Sequence, residues 1–319
     1  MVLGFWQNGR LNKSLGGEKM GHCPIDRNRI EDVMGLTPVQ EGILYHYLMN
    51  PDVDQYYEQY SYTVKGKLEI SHFVNAWKQV LIQNEVLRTT FRWENLSNPI
   101  QVILKNVPLT VCIHDISHLP AGEKEEAYIL LCQAEREKAF SLDQDVLFKI
   151  LLGKLDEDNF IITLCNHHIL FDGWSNGIIL SEFISTYLFL QKGITPVKSQ
   201  KPHFREYIRW LKKQNVEVHK GYWSKYLEGY EKKRLNSKQE DMAVETECIT
   251  HLIEEDLLGQ LKDTASKLNI TLSDIFTMAW GILLQIMMKS NDVVFGTVVS
   301  GRTADIRGIE RMVGLIMNT

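Results

Sequence analysis

The stretch LCNHHILFDGWSNG, residues 164–177, places two adjacent histidines at the end of an apolar run. The residues before them read as a β-strand, and successive side chains of a strand point to opposite faces. His167 and His168 therefore cannot share a face, and without a bulge they cannot bind one metal ion together. No third ligand is clustered beside them in the sequence, so we expect no metal site. One ring is expected to pack in the core and the other to face the opposite space.

The residues after the histidines form a setting in which a proton acceptor could act. Histidine has an ordinary pKa of about 6.5, so its neutral ring can accept a proton at neutral pH. Gly173 permits close approach of the backbone, and the free amides of a following helix N-terminus favour developing negative charge. The spacing leaves open the alternative of two structural histidines. Asp172 is better interpreted as an acceptor that holds the turn, or pairs with a buried arginine, than as a triad member.

The composition is that of an ordinary soluble globular protein, with 319 residues of which 44% are hydrophobic and 24% charged. A net charge of −5 offers no basic field, so we expect neither nucleic acid nor a membrane as partner. The five cysteines are scattered without a CxxC pair, which favours a reducing, cytoplasmic setting. The longest apolar stretch, Ile275–Met288, is shorter than the roughly 20 residues that span a bilayer, so we expect a buried helix.

Helical and strand patterns alternate along the chain, which predicts an α/β fold with a sheet buried between helices. Thr37, Pro38 and Gln40 form a capping-box start for the first helix. Residues 146–168 read as a hairpin, followed by an apolar helix that Ser175 is placed to cap. Strands are expected at ETECITHLI (245–253) and DVVFGTVVSGR (292–302), and a solvated linker at EKKRLNSKQEDMAVE (231–245).

The residues HHILFDGWS, 167–175, match the HHxxxDG signature of the condensation domains of nonribosomal peptide synthetases. These domains are relatives of the chloramphenicol acetyltransferase-like acyltransferases. Other segments resemble further motifs of this family and occur in the expected order: LTPVQEGILYH (36–46), NEVLRTTF (84–91), FREYIRWL (204–211), DVVFGTVVSGR (292–302) and GIERMVGLIMNT (308–319). The resemblance covers nearly everything after about residue 29.

The resemblance implies two chloramphenicol acetyltransferase-like α/β lobes in a V-shaped arrangement. We assign residues 1–28 to a tail or linker, 29–195 to the N-terminal lobe with the signature, and 196–319 to a partial C-terminal lobe. The family continues past the motif that ends at Thr319, so we expect the second lobe to be incomplete. An unfinished sheet leaves unpaired edges and exposed apolar surface, so we expect low stability or low activity of this chain by itself.

The resemblance also implies a reaction and its partners. In this family the amine of an acceptor aminoacyl thioester attacks a donor acyl or peptidyl thioester and forms a peptide bond. Donor and acceptor peptidyl carrier proteins and adjacent synthetase modules are the implied partners. Their 4'-phosphopantetheine arms would carry both substrates into a tunnel from two faces. The family implies no metal and no cofactor bound by the domain itself.

The match also implies roles for the residues of the signature. His168 would act on the acceptor amine, either as a base or by positioning it, and His167 would be its packed partner. Asp172 would be structural and pair with Arg88. The backbone N–H of Gly173 would bind the tetrahedral oxyanion. Two further residues would shape the tunnel and cap the following helix: Trp174 and Ser175.

Two positions depart from the family pattern: Asn84 stands where histidine is usual, and Glu206 where aspartate is usual. Asparagine can still hydrogen-bond and the second change is mild, so we expect structural adjustment without loss of chemistry. Epimerisation and ester-forming domains share the histidine signature and are alternatives within the fold. A non-catalytic remnant that docks carrier proteins is an alternative of another class. It would lack any activity that depends on His168.

Overall fold

The computed structural model describes residues 26–50, 55–144, 146–196, 200–231 and 249–319. The predicted linker lies outside these residues except at its first position. The strands are β1 Ile30–Gly35, β2 Tyr57–Lys65, β3 Thr89–Arg92, β4 Ile100–Leu104, β5 Thr110–Asp115, β6 Phe148–Lys154, β7 Asn159–His167, β8 Val299–Ser300 and β9 Met317–Asn318. The helices are α1 Pro38–Met49, α2 Ile70–Gln83, α3 Lys124–Glu137, α4 Gly173–Gln191, α5 Phe204–Lys212, α6 Val216–Tyr226, α7 Glu255–Leu268 and α8 Leu272–Met288.

By their internal contacts, the described residues fall into two compact units. One contains the residues up to 214 together with 298–318, and the other contains 215–297 with Thr319. Helix α5 and the segment 298–318, which we assigned to the second lobe, thus make their contacts within the first unit. The predicted boundary between the two lobes near residue 195 stays a prediction. The two compact units are defined by contacts between residues, whereas the lobes are defined by resemblance to the family.

The first unit contains three sheets, of four, three and two strands, and the smallest pairs β8 with β9. The four-stranded sheet has the order β2-β7-β6-β5, in which β7 is antiparallel to both neighbours and β5 is parallel to β6. In the three-stranded antiparallel sheet, β4 lies between β1 and β3. The predicted hairpin is confirmed as β6 and β7, with residues 155–158 as its turn. Alternating helices and strands give the predicted α/β fold.

Aromatic side chains join helices α2 and α4 to the four-stranded sheet. The indole of Trp77 on α2 stacks on the ring of Phe183 on α4, with centroids 4.3 Å apart. Phe73 meets Phe183 edge-on at 5.3 Å, and Trp77 also contacts Phe148 of β6 at 5.8 Å. All four side chains are buried. This cluster supports the hairpin that carries the paired histidines.

Helix α1 begins with the predicted capping box. The hydroxyl of Thr37 accepts from the backbone N–H of Gln40 at 3.2 Å, and the Gln40 side-chain oxygen accepts from the Thr37 N–H at 3.0 Å. The side-chain amide of Gln40 also donates to the carbonyl of Ile169 at 3.0 Å. The start of α1 is thereby tied to the turn that follows the paired histidines.

The two predicted C-terminal strands do not form over their expected lengths. Within residues 292–302 the strand is limited to β8, which pairs with β9. Of the other segment, the described residues 249–253 form no strand. A strand needs a neighbouring strand for its backbone ladder, and within residues 292–302 β9 pairs with Val299 and Ser300 alone.

The apolar helix that we expected to be buried is exposed. Leu284 is the one buried residue of α8, whereas Trp280 is 48% and Ile286 is 68% exposed. In the second unit α8 packs against α7, and the described residues leave most of its apolar surface uncovered. Among the described residues, no single helix has the length and apolar character needed to cross a bilayer. Helices α7 and α8 reach that length and composition only when they are taken together, and the pair is bent by 101°.

Candidate active site

The paired histidines lie where β7 ends. His167 is the last residue of the strand and His168 the first residue of the following turn. The backbone N–H of His168 donates to the carbonyl of Tyr56 at 2.9 Å, which extends the pairing with β2 by one step. In the part of the chain that the structure describes, no three His, Cys, Asp or Glu side chains are grouped to hold a metal ion. The two rings lie in different surroundings, as strand alternation predicts.

His167 packs in the interior. Its ring lies against the rings of Tyr47 and Tyr56, with centroid distances of 6.2 and 6.0 Å. Its Nδ1 accepts a hydrogen bond from the backbone N–H of Ile169 at 3.2 Å, so this nitrogen carries no proton. Burial, with a smaller contribution from the His168 ring, lowers the pKa of His167 to about 4. The ring is therefore neutral at pH 7.

The ring of His168 is partly exposed and has two acceptors beside Nδ1. The carbonyl oxygen of Phe171 lies 3.1 Å away, and Oε2 of Glu58 lies 3.3 Å away. Because a carbonyl only accepts, Nδ1 carries the proton of the neutral ring and Nε2 keeps its lone pair in that form. Burial acts to lower the pKa of His168, but Glu58, the Phe171 carbonyl and Asp172 together raise it above its ordinary value.

Glu58 is a residue of this site that we did not identify from the sequence. Pairing of β2 with β7 places it opposite Asn166, whose side-chain amide donates to Oε2 at 2.8 Å. The hydroxyl of Tyr60 donates to Oε1 at 2.7 Å. Burial acts to raise the pKa of Glu58, but the His168 ring and these two donors lower it below its ordinary value. The sequence signal was a carboxylate within the aromatic segment YYEQYSY, and its strand partner could not be read from the sequence.

Asp172 pairs with Arg302, and the pairing with Arg88 implied by the resemblance is wrong. One terminal nitrogen of Arg302 lies 3.0 Å from Oδ1 of Asp172, and both side chains are buried. Arg88 instead lies 2.6 Å from Glu31 and donates through Nε to the carbonyl of Leu81 at 3.1 Å. The reason is topological: Arg88 precedes β3 in the three-stranded sheet, whereas Asp172 follows β7 in the other sheet.

Asp172 also caps helix α4, a role that we predicted for Ser175. Its Oδ1 accepts from the backbone N–H of Ser175 at 2.9 Å and lies 2.8 Å from the Ser175 hydroxyl. That hydroxyl lies 2.9 Å from the Gly314 carbonyl and accepts from the Gly314 N–H at 3.1 Å. Oδ2 of Asp172 accepts from the N–H of Ile316 at 3.1 Å. One carboxylate and one hydroxyl thus join the signature turn to residues 314–316.

Trp174 lies over the ion pair and is 59% exposed. Its indole N–H donates to the carbonyl of Glu310 at 3.0 Å. The guanidinium carbon of Arg302 lies 5.6 Å from the ring centroid, within the range of a cation–π contact. Trp174 therefore holds the C-terminal segment while presenting much of its surface outward. Its role in shaping a tunnel stays a prediction.

Gly173 is the first residue of α4. The first amides of a helix have no partner within the helix, so its N–H is not used by the ladder of α4. A Cβ placed on Gly173 would meet no atom within 4 Å. Gly173 is therefore an exposed residue with open space beside its Cα, at the positive end of the helix.

The two departures from the family pattern are accommodated by hydrogen bonds. The side chain of Asn84 donates to Glu182 on α4 at 2.8 Å and accepts from Lys201 at 2.7 Å. Glu206 accepts from the backbone N–H of His203 at 3.2 Å, at the start of α5. Both side chains connect or cap structural elements.

Residues 30–319 match the family model described as the condensation domain. The chain is 35% identical over 299 residues to tyrocidine synthase 2 of Brevibacillus parabrevis, covering 92% of this chain and 8% of that protein. It is 34% identical over 302 residues to bacitracin synthase 3 of Bacillus licheniformis, covering 92% of this chain and 5% of that one. The chain thus spans less than a tenth of the length of these two relatives.

Solved structures share the fold. The first condensation domain of the calcium-dependent antibiotic synthetase superposes with a TM-score of 0.73 at 17% identity, over 90% of this chain and 68% of that one. The starter condensation domain of rhizomide synthetase, in complex with C8-CoA, gives 0.75 at 20% identity, over 90% and 65%. These likenesses confirm the predicted chloramphenicol acetyltransferase-like α/β fold. Because the family match spans about nine-tenths of the sequence, the chain belongs to the condensation domains of nonribosomal peptide synthetases.

Proposed function

We propose that this chain forms a peptide bond between a donor acyl or peptidyl thioester and the amine of an acceptor aminoacyl thioester. The state of His168 carries the proposal: Nδ1 is held by acceptors, so the lone pair on Nε2 is available to a substrate. In this family, peptidyl carrier proteins present both substrates on phosphopantetheine arms. We propose the same partners here, together with adjacent synthetase modules, in the cytoplasm.

In the proposed reaction the acceptor amine attacks the carbonyl carbon of the donor thioester. Nε2 of His168 accepts a hydrogen bond from the amine, which orients it, and takes its proton as the new C–N bond forms. The C–S bond then breaks and the proton passes to the leaving sulfur. The products are an amide on the acceptor carrier and a free thiol on the donor carrier.

Negative charge develops on the carbonyl oxygen during this attack. The N–H of Gly173 is not used within α4, the residue is exposed with open space beside its Cα, and the amide lies at the positive end of the helix dipole. We propose that this amide donates to the oxyanion. Asp172, Arg302 and Ser175 hold the turn that carries it and take no part in bond making.

The first test is transfer between loaded carrier proteins, followed by mass spectrometry of the intact acceptor carrier. His168→Ala should reduce the rate of transfer by about 10²–10⁴-fold, the range of general acid–base catalysis. His72→Ala is the control, because His72 is a partly buried histidine on α2 that packs against Tyr187. Full activity of His168→Ala would contradict the proposed role.

Other products would indicate the alternatives. Inversion of the donor residue without transfer would indicate epimerisation, and acceptance only of a hydroxyacyl acceptor would indicate ester formation. A wild-type chain that binds carrier proteins and transfers nothing would support the non-catalytic remnant. Each of these results would overturn peptide-bond formation as the activity of this chain.

A further inference from the structure

We propose that Glu58 is a positioning residue that acts through His168, its carboxylate balancing the positive charge that the ring gains when it takes the proton of the acceptor amine. The proposal rests on the proposed function and deepens it, because it assigns His168 the role of a base. It adds a residue from β2, outside the signature turn.

The carboxylate of Glu58 is held in place from two strands. Tyr60 on β2 donates to one oxygen at 2.7 Å, and Asn166 on β7 donates to the other at 2.8 Å. Oε2, the oxygen that accepts from Asn166, lies 3.3 Å from Nδ1 of His168. The side chains of Glu58 and His168 are 22% and 19% exposed, so water screens their interaction less than at the surface. A carboxylate fixed in this way is already oriented before the ring becomes charged.

The two acceptors at Nδ1 have separable roles. The Phe171 carbonyl, at 3.1 Å, takes the hydrogen bond and fixes which nitrogen carries the proton. It is neutral, and would fix the same tautomer without Glu58. A full negative charge beside the ring comes from Glu58, and that charge favours the imidazolium over the neutral ring. The carboxylate is therefore placed to act on proton transfer and not on ring orientation alone.

The other titratable groups around the ring do not supply this charge. His167, the last residue of β7, is neutral at pH 7 because burial lowers its pKa to about 4. Asp172, on the following turn, contributes more weakly to the raised pKa of His168 than Glu58 does, and its carboxylate is paired with Arg302. Glu58 also contacts an ionisable hydroxyl on β2, that of Tyr60, which donates to its Oε1. Burial, followed by Glu58, raises the pKa of Tyr60, so it stays a neutral donor.

The experiment compares Glu58→Gln with wild type in two measurements on the full chain. Glutamine keeps the size of the side chain and removes the charge, and NMR titration of the histidine rings should then show a lower pKa for His168. In the transfer assay the plateau rate should fall roughly tenfold or more. A base must be neutral to act, so the rate rises with pH through the pKa of His168. That rise should move to lower pH in the variant.

Two further variants test whether the effect depends on the charge beside His168. Glu58→Asp keeps the charge one methylene farther from the ring and should restore part of the pKa and of the rate. Glu182→Gln is the matched control, because Glu182 is also a largely buried glutamate that accepts from an asparagine amide, that of Asn84. The control should leave the titration of His168 and the pH profile unchanged.

An unchanged pKa of His168 in Glu58→Gln would overturn the proposal. A lowered pKa with an unchanged rate would also overturn it, because His168 would then position the amine without taking its proton. Failure of the proposed function is distinguishable from both, since it would appear as full activity of His168→Ala, or in wild type as inversion of the donor, ester formation or no transfer. The NMR titration needs no activity, so the first outcome can be read even from a chain that transfers nothing.

Discussion

Asp172 and Arg302 lie 130 residues apart in the sequence and form one buried ion pair, with 3.0 Å between Oδ1 and the nearer guanidinium nitrogen. The second terminal nitrogen of Arg302 donates to the carbonyls of Ile309 and Met312 at 2.8 Å each. The turn after His168 therefore depends on a charge from the C-terminal segment. The Asp172–Arg302 contact that fixes this turn joins residues far apart in the sequence. Its contribution to the free energy of unfolding can be measured by mutating each residue alone and both together.

The first prediction concerns the coupling of this pair. Arg302→Met should destabilise the chain by about 3–5 kcal/mol, because it leaves the Asp172 carboxylate buried without a countercharge. Combined with Asp172→Asn it should cost less than the sum of the two single changes, since the double variant no longer buries a lone charge. Urea denaturation of the four proteins of this cycle measures the coupling energy.

The control for this cycle replaces the arginine that the family resemblance implied. Arg88→Met should lose the hydrogen bond to the Leu81 carbonyl and the contact with the partly exposed Glu31. Its effect should add to that of Asp172→Asn within about 0.5 kcal/mol, because the two residues share no partner. Coupling of Asp172 to Arg88 in place of Arg302 would contradict the Asp172–Arg302 ion pair.

The sequence predicted most local elements of the first unit and fewer of its long-range contacts. The capping box of α1 and the hairpin β6–β7 were predicted because their signals lie within a few residues of each other. The arginine that pairs with Asp172 was not predicted correctly, because nothing in the neighbouring sequence distinguishes Arg302 from Arg88. Glu58 was missed for the same reason: its role depends on the pairing of β2 with β7 and not on its own neighbours.

The exposed helix α8 shows a second limit of prediction from sequence, which concerns burial. Its apolar composition predicts burial, yet burial also requires other elements to cover it. Among the described residues of the second unit, α7 packs against it and most of its apolar surface stays open. Composition states which residues favour the interior, and the fold determines which of them reach it.

The second prediction concerns Ser175, whose hydroxyl joins Asp172 to Gly314. Ser175→Ala should destabilise the chain by about 1–3 kcal/mol, because the buried N–H of Gly314 and the guanidinium of Arg302 each lose an acceptor. Ser185→Ala on the same helix is the control, since that hydroxyl is exposed and bonds only within α4, to the Ser181 carbonyl. Equal unfolding midpoints for the two variants would contradict the role of Ser175 as a connection between segments.

The third prediction concerns the acid stability contributed by His167. Its pKa is lowered from 6.5 to about 4, so between these pH values the unfolded chain binds a proton that the folded chain does not. The stabilisation is fully present above pH 6.5 and is lost as the pH falls towards 4; it amounts to roughly 3 kcal/mol.

The variant His167→Asn tests this pH dependence. The asparagine oxygen can replace Nδ1 as acceptor for the N–H of Ile169, while the titrating ring is removed. The free energy of unfolding of the variant should therefore fall less steeply than that of wild type between pH 6.5 and 4. The exposed His118→Asn should keep the wild-type slope. The raised pKa of His168 stabilises the folded state at low pH in both wild type and His167→Asn. Its effect therefore largely cancels when the free energies of unfolding of the two proteins are subtracted. Parallel slopes for wild type and His167→Asn would contradict the assignment.

The fourth prediction tests the amide of Gly173. Proline has no backbone N–H but suits the first position of a helix, which Gly173 occupies. The preceding residue, Asp172, has φ −96° and ψ 171°, an extended conformation that a following proline favours. Gly173→Pro should therefore fold with a stability near that of wild type. The rate of thioester transfer should fall by about 10²–10³-fold, because the oxyanion loses a donor.

The control for the loss of this amide is Gly173→Ala, which keeps the N–H and also adds a Cβ. Beyond its chain neighbours and the backbone of its own helix, no atom lies within 4 Å of that Cβ position, so the fold should accept the methyl group. If the N–H binds the oxyanion, alanine should retain most of the activity that proline removes. If both variants lose activity equally while their unfolding midpoints match wild type, the added atoms obstruct the substrate and the amide is not the oxyanion donor.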